Sequence, residues 1–227
     1  MNWQDKGYLI NINKYNENSS IAEFFTTNHG KTSGIIFGST SKKIKNYLFN
    51  GNKFHINFSS KNENSSGNFK IEIENVNTPL YLDSKLEFYC ILYTLKLIRT
   101  LSVENQKNTN VYELLNFFFE TLIKNFSIKN YIFWELQLLK DFGFELNYTD
   151  FVDKIKKNGS YIYVSKSSEK KIIPKFLLEK DNKNISKEDL ILGFNLTGEF
   201  INKSILDENN LSIFKSRNEL SNIFINL

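Results

Sequence analysis

The spacing of apolar residues changes near Pro79 and divides the chain into two parts. Before Pro79, short segments alternate apolar and polar residues, as at residues 53–58 and 69–74, with polar turns between them. After it, apolar residues recur at helical spacing over residues 84–101 and 111–126. Alternation indicates half-buried strands, whereas the longer period indicates helices with an apolar face. The pattern therefore predicts an α+β protein with its strands first and its helices second.

The alternating segments predict a small β-barrel in the first 80 residues. They follow one another at roughly 10–15 residue spacing, which is typical of a closed or partly open barrel. An OB-type barrel is the natural candidate, although an SH3-like barrel has similar spacing. We assign residues 1–80 to an OB-fold domain whose five strands lie at residues 7–12, 21–26, 33–37, 53–58 and 69–74.

The remaining residues, 81–227, predict a mainly α-helical domain with a small β-hairpin. A third helix covers about residues 130–142 and ends at Gly143, because glycine suits the position after a helix C terminus. Residues 161–173 contain two short β-type segments that predict the hairpin. Ser186 is placed to cap another helix, and residues 216–219 match a capping box that begins the last one. Helices that are apolar around much of their circumference must bury more than one face, which indicates a packed domain.

Positive charge is concentrated in the first quarter of the chain. Residues 1–58 contain seven lysines and three acidic residues, an excess that equals the net charge of +4 of the whole chain. A local excess of positive charge favours polyanions, and nucleic acid is the commonest polyanion of the cytosol. The first domain is therefore a candidate nucleic-acid-binding domain.

The side chains needed for catalysis do not occur in the patterns that catalysis requires. The chain has no Walker phosphate-binding loop, and His29 and His55 lie in neither a metalloprotease nor a nucleophile-elbow motif. Glu72 and Glu74 share one face of a strand, which is typical of a solvated surface. Cys90, the one cysteine, lies in an apolar segment and is interpreted as a core residue. We therefore expect no enzymatic activity and no cofactor.

The chain shows no sign of a membrane segment. No run of about 18 apolar residues occurs, which a spanning helix would need. The first residues are neither basic and then apolar nor followed by a cleavage site of small residues, so they do not resemble a signal peptide. A cytoplasmic location is the expectation.

A basic and aromatic segment follows the third predicted strand. Proteins that bind single strands combine a basic groove with aromatic side chains, and each stacked base contributes about 1–3 kcal/mol. The plainer alternative is a solvated lysine loop beside aromatic residues of the barrel core. We predict a nucleic-acid-binding site formed by Lys14, Lys31, Lys42, Lys43, Lys45, Tyr47 and Phe49.

Several short motifs follow one another in a fixed order along most of the chain. Gly-Tyr-Leu-Ile at residues 7–10 is followed by His-Gly-Lys at 29–31 and Ser-Lys-Lys at 41–43. The helical part contains the leucine-rich stretch at residues 133–144 and Leu-Thr-Gly-Glu-Phe-Ile at 196–201. This ordered set, spanning roughly residues 3–206, resembles the RecO family of DNA repair proteins.

The resemblance implies an N-terminal OB fold, a helical C-terminal domain and no catalytic turnover. It implies binding of single- and double-stranded DNA, annealing of complementary strands, and a nucleoid-associated location. The partners it implies are RecR and the acidic C-terminal tail of single-strand-binding protein, with loading of RecA as the outcome. Lys96, Arg99 and Lys140 are candidates for contacting that tail, because they are basic residues near apolar surface.

Three features depart from the family pattern. Many relatives carry a four-cysteine zinc site, but residues 147–173 contain no cysteine, so we expect a degenerate zinc-finger region held by packing and no metal. Phe37 stands where the family often has a basic residue, and it either stacks on DNA or belongs to the core. The loop at residues 41–45 contains lysine where relatives have arginine. Lysine binds phosphate as a point charge without the bidentate geometry of arginine, so we expect weaker and more salt-sensitive binding.

Two other functions stay open at this point. An RNA-binding OB module would prefer RNA over DNA of equal sequence, because the 2′-hydroxyl is the discriminating group. A protein-interaction scaffold would bind an acidic peptide through its helical domain and would not bind nucleic acid.

Overall fold

The computed structural model describes residues 1–62, 67–124, 126–146, 148–157, 160–166, 170–179, 185–212 and 214–226. Contacts within the chain separate it into two compact units, Met1–Lys124 and Asn125–Leu227. The first unit contains a five-stranded sheet and the second contains helices with a small sheet, so the predicted α+β class is confirmed.

The five strands of the first unit form a closed barrel in the order β1-β2-β3-β5-β4. All neighbouring pairs are antiparallel except β3 and β5, which run parallel. A five-stranded closed barrel of this kind is the predicted OB-type fold. The strands are β1 Asn2–Lys14, β2 Ser19–Thr26, β3 Gly30–Phe37, β4 Lys53–Ser59 and β5 Gly67–Asn75.

Alternation along the strands fills the barrel interior. In β4, Phe54 and Ile56 are buried and His55 between them is exposed, as a period of two requires. A register shift after Leu9 bends the long strand β1, which pairs with β4 as well as with β2. The apolar core of the barrel consists of Leu9, Ala22, Phe24, Ile36, Phe54, Ile56, Phe58 and Phe69.

Two long helices belong to the same compact unit as the barrel. They are α2 Lys85–Leu101 and α3 Thr109–Lys124, and both match predicted helices. The Arg99 guanidinium of α2 donates to both carboxylate oxygens of Glu23, and the Tyr8 hydroxyl donates to Asn116 of α3 at 2.7 Å. Residue 80, the predicted end of the first domain, marks the change from strands to helices. The compact unit that contains the barrel extends further, to Lys124. The extent of the nucleic-acid-binding domain stays a prediction.

The second unit contains three further long helices. They are α4 Ile128–Asp141, α5 Lys187–Ile201 and α6 Lys215–Asn226. Gly143 has φ of +88° just beyond α4, and the Ser186 hydroxyl accepts a hydrogen bond from the Asp189 amide at the start of α5, so both predicted helix ends are confirmed. The predicted cap of α6 is wrong, because Ser216 lies inside the first turn of a helix that begins one residue earlier.

The second unit also contains a three-stranded antiparallel sheet of order β6-β7-β8. Its strands are β6 Val152–Lys157, β7 Ser160–Ser165 and β8 Ile172–Ile173. The predicted hairpin corresponds to β7 and β8, although residues 167–169 between them lie outside the described residues. Strand β6 was missed because its lysines interrupt the apolar pattern. No group of His, Cys, Asp or Glu that could hold a metal ion occurs in the described part of the chain.

Cys90 is fully buried in α2, which confirms its interpretation as a core residue. None of the helices formed by the described residues is both long and apolar enough to cross a membrane.

Candidate nucleic-acid interface

A short helix, α1 Lys42–Lys45, follows β3 and carries three of the predicted lysines. The chain turns at Gly38, whose φ of +68° is accessible to glycine at little cost. Ile44 is partly buried against the barrel core and anchors the helix. Lys42, Lys43 and Lys45 are exposed, and their side chains make no hydrogen bond or ion pair with other described residues. The sequence predicts a loop here, because four residues are too few to show a helical period.

The segment after α1 is held by buried hydrogen bonds. The Asn52 side chain is fully buried, donates to the Tyr47 carbonyl at 2.8 Å and accepts from the Asn77 amide at 2.8 Å. Tyr47 and Phe49 expose 41% and 37% of their surface, as predicted for residues beside the Asn-Gly turn. The backbone is therefore fixed while two aromatic rings reach solvent.

A cavity of about 570 Å³ lies between α1 and β5. Two predicted lysines and one predicted aromatic residue contribute to its wall, so the structure brings these three together. Its lining residues are Lys42, Lys43, Ile44, Tyr47, Phe54, Ile71, Glu72 and Ile73. The apolar members come from the barrel and from Ile44, while the lysines and Glu72 supply the charged rim.

Two of the five predicted lysines lie outside α1. The Lys31 ammonium donates to the Arg99 carbonyl at 3.1 Å, so this side chain joins β3 to the C-terminal end of α2. Lys14 is exposed at the end of β1. Neither residue lines the cavity between α1 and β5. The contribution of both to binding stays a prediction.

Phe37 is 61% exposed at the end of β3, so the structure excludes it from the barrel core. The register pairs Phe37 with Ser19 and Ile35 with Ile21, which makes Phe37 and the exposed Ile21 diagonal neighbours on the outer face of β2 and β3. OB folds bind oligonucleotides on this face and on the loop between the first two strands. Tyr15 lies in that loop and is 58% exposed, and it is not among the predicted site residues. Its position in a polar turn between two predicted strands is the sequence feature that could have identified it as a candidate site residue.

The three candidate partner-binding residues differ in their surroundings. Burial raises the pKa of the Glu23 carboxyl, but hydrogen bonds from Arg99 and Asn11 outweigh that effect and bring the pKa below its ordinary value. The Arg99 guanidinium is thus already engaged within the unit. Lys96 is exposed on α2. Lys140 of α4 lies in the second unit, where a hydrogen bond to the Glu145 carboxylate raises its pKa. Whether any of the three binds a partner stays a prediction.

Two family models match the chain over most of its length. The model for the N-terminal part of recombination protein O matches residues 1–75, and the model for its C-terminal part matches residues 86–192. The DNA repair protein RecO of Ehrlichia chaffeensis is 29% identical, and the match covers 97% of each chain. The DNA repair protein RecO of Rickettsia bellii is 31% identical over 89% of each chain. That of Rickettsia felis is 29% identical over 92% of this chain and 93% of its own.

Proposed function

The chain belongs to the RecO family of DNA repair proteins, and on that basis we propose that it binds single- and double-stranded DNA and anneals complementary strands. Its general role lies in DNA repair and recombination, as the family's name states. We further propose that it assists loading of RecA together with RecR on strands coated by single-strand-binding protein, whose acidic tail it contacts. It does this at the cytoplasmic nucleoid and without catalytic turnover.

The observation that carries the proposal is the set of exposed lysines on α1 beside the exposed rings of Tyr47 and Phe49. Their ammonium groups make no hydrogen bond or ion pair with other described residues, so contacting phosphates requires no internal ion pair to break. Each neutralised phosphate releases a counterion, which favours binding at low salt. Exposed aromatic rings add stacking that tolerates any base sequence.

This arrangement suits strand annealing. Two complementary strands repel each other through their phosphates, and a basic surface reduces that repulsion. Lysine contacts the backbone as a point charge, so the bases of a bound strand stay available for pairing. Base stacking then supplies about 1.4 kcal/mol for each step of duplex formed, so no nucleotide hydrolysis is needed.

Binding of single-stranded DNA at several salt concentrations tests the proposal. Replacing Lys42, Lys43 and Lys45 with alanine should weaken binding and flatten the plot of log affinity against log salt. Each lost phosphate contact reduces that slope by about 0.7 for single strands, so three contacts reduce it by about 2.

A matched control removes the same charge elsewhere. Lys187, Lys203 and Lys215 are exposed in the second unit, and their replacement with alanine should leave the slope unchanged. Equal slopes for both triple variants and the unmodified protein would contradict the assignment of α1. Tighter binding of RNA than of DNA of equal sequence would favour the RNA-binding alternative.

A further inference from the structure

We propose that the cavity between α1 and β5 takes one unstacked base of a bound single strand and prefers a base with an exocyclic amino group. The inference rests on the proposed function, since it names what the same surface selects. It concerns which base the cavity accepts, whereas the lysines and exposed rings alone would bind a strand of any sequence.

The size and floor of the cavity fit a base. Its volume of about 570 Å³ falls within the range of roughly 300–1,000 Å³ typical of small-ligand sites. Ile44, Ile71 and Ile73 line it with apolar surface, and the ring of Tyr47 supplies an aromatic wall. A flat base buries its faces against such groups. A base within a duplex would first have to flip out of its stack, which costs energy. The cavity therefore favours single strands.

The charges at the rim indicate a nucleotide. Lys42 and Lys43 line the cavity and make no ion pair with other described residues, so they are available to the phosphates on either side of an inserted base. Glu72 lies on the same rim. An acidic peptide would meet this carboxylate with like charge, whereas the edge of a base offers hydrogen-bond donors to it. The rim thus fits a nucleotide better than an acidic peptide.

Glu72 carries the base preference. This exposed residue of β5 pairs in register with His55, and its carboxylate has no hydrogen-bond or ion-pair partner among the described residues. A carboxylate at neutral pH only accepts hydrogen bonds. The exocyclic amino group of cytosine donates at the position where uracil presents a carbonyl oxygen, and a carboxylate repels that oxygen. Cytosine in the cavity is therefore favoured over uracil.

Oligo(dC) and oligo(dU) of equal length test the preference, because cytosine carries an amino donor where uracil carries a carbonyl oxygen, and the neighbouring N3 is an acceptor in cytosine and a donor in uracil. Binding by fluorescence anisotropy at pH 8 should favour oligo(dC) by about fivefold, the scale of one modest base contact. Glu72→Gln should bring the ratio close to one, because an amide both donates and accepts. Glu208→Gln, at an exposed position of the second unit, should leave the ratio unchanged. The salt slope should be the same for both oligonucleotides, since the phosphates are alike.

Each of four results would overturn the inference. Equal binding of both oligonucleotides with a normal salt slope would overturn the base pocket and leave the proposed function standing. A preference for oligo(dC) over oligo(dU) that remains in Glu72→Gln would show that another residue distinguishes the two bases. Absence of binding to either oligonucleotide would overturn the proposed function together with the inference. Displacement of both oligonucleotides by an acidic peptide, with no base preference, would identify the cavity as a peptide site.

Discussion

Arg217 and Glu135 form a buried ion pair in the second compact unit. Glu135 is fully buried and Arg217 is 6% exposed. The Arg217 guanidinium also donates to the Phe194 carbonyl at 2.6 Å and lies over the ring of that residue at 3.9 Å. The Arg217 side chain therefore links α6, which carries it, to both α4 and α5. The sequence placed Arg217 inside a predicted capping box, and nothing local connects it with a residue 82 positions away.

Replacing Arg217 with methionine should destabilise the protein by about 3–5 kcal/mol, because the Glu135 carboxylate would stay buried without its partner. Denaturant unfolding measures the loss. The double variant Glu135→Leu with Arg217→Met removes both charges and should recover most of the stability. A double variant no more stable than Arg217→Met would show that packing of the arginine, and not its charge, is what the fold requires.

At the scale of elements, the alternation of apolar residues was enough to predict five strands, and helical spacing was enough to predict α2, α3 and α4. Among the strands and α-helices of the described residues, α1 and β6 were missed; both are short and rich in lysine, so neither shows an apolar period. The pair of strands that closes the predicted barrel could not be identified either. The parallel contact of β3 with β5 involves only Gly34 with Gly67 and Ile35 with Asn68, which is too short to leave a pattern.

Gly34 permits that contact. A β-carbon at this position would lie 2.9 Å from the Gly67 carbonyl oxygen and 2.7 Å from a ring carbon of Phe69. Gly34→Ala should therefore separate β3 from β5 and destabilise the barrel by about 1–3 kcal/mol, a typical cost of overpacking. Ser33→Ala, at the exposed neighbouring position of β3, is the control and should change stability by less than about 0.5 kcal/mol. Equal unfolding free energies for the two variants would argue against a tight β3–β5 contact.

The Glu23–Arg99 pair between β2 and α2 predicts a dependence of stability on pH. The pKa of Glu23 is lower in the folded protein than its ordinary value of 4.5, so its carboxylate stabilises the fold above that pH and loses this effect as pH falls through the folded pKa. The protein should be more stable than Glu23→Gln at pH 7, and the difference should shrink between pH 5 and pH 3 as that carboxylate is protonated. Unfolding free energies across this range measure the effect.

A suitable comparison for this pair is Glu17→Gln, because Glu17 is exposed and makes no ion pair within the described residues. Its stability should follow that of the unmodified protein at every pH. A difference between the protein and Glu23→Gln that stayed constant down to pH 3 would contradict the linkage.

At the scale of the whole molecule, the ordered motifs predicted the family before any geometry was known, and two family models match the same stretch. The candidate site was predicted in part. Charge and aromatic content identified residues 42–49, but lysines are alike in sequence, so nothing separated the exposed lysines of α1 from Lys31, which binds the Arg99 carbonyl. The exposure of Phe37 in the fold was needed to exclude it from the core, and its stacking on DNA stays a prediction. Residue types can be read from the sequence, whereas the direction of each side chain becomes known only with the fold.

The lysines of α1 are proposed to allow the protein to bring complementary DNA strands together. The most direct test is the rate of annealing of two labelled complementary strands without nucleotide, first bare and then coated with single-strand-binding protein. We expect faster annealing with the protein, a clear loss of that acceleration when Lys42, Lys43 and Lys45 are replaced with alanine, and full acceleration when Lys187, Lys203 and Lys215 are replaced instead. An annealing rate that the protein does not raise, or that the α1 variant raises as much as the unmodified protein, would contradict this proposal.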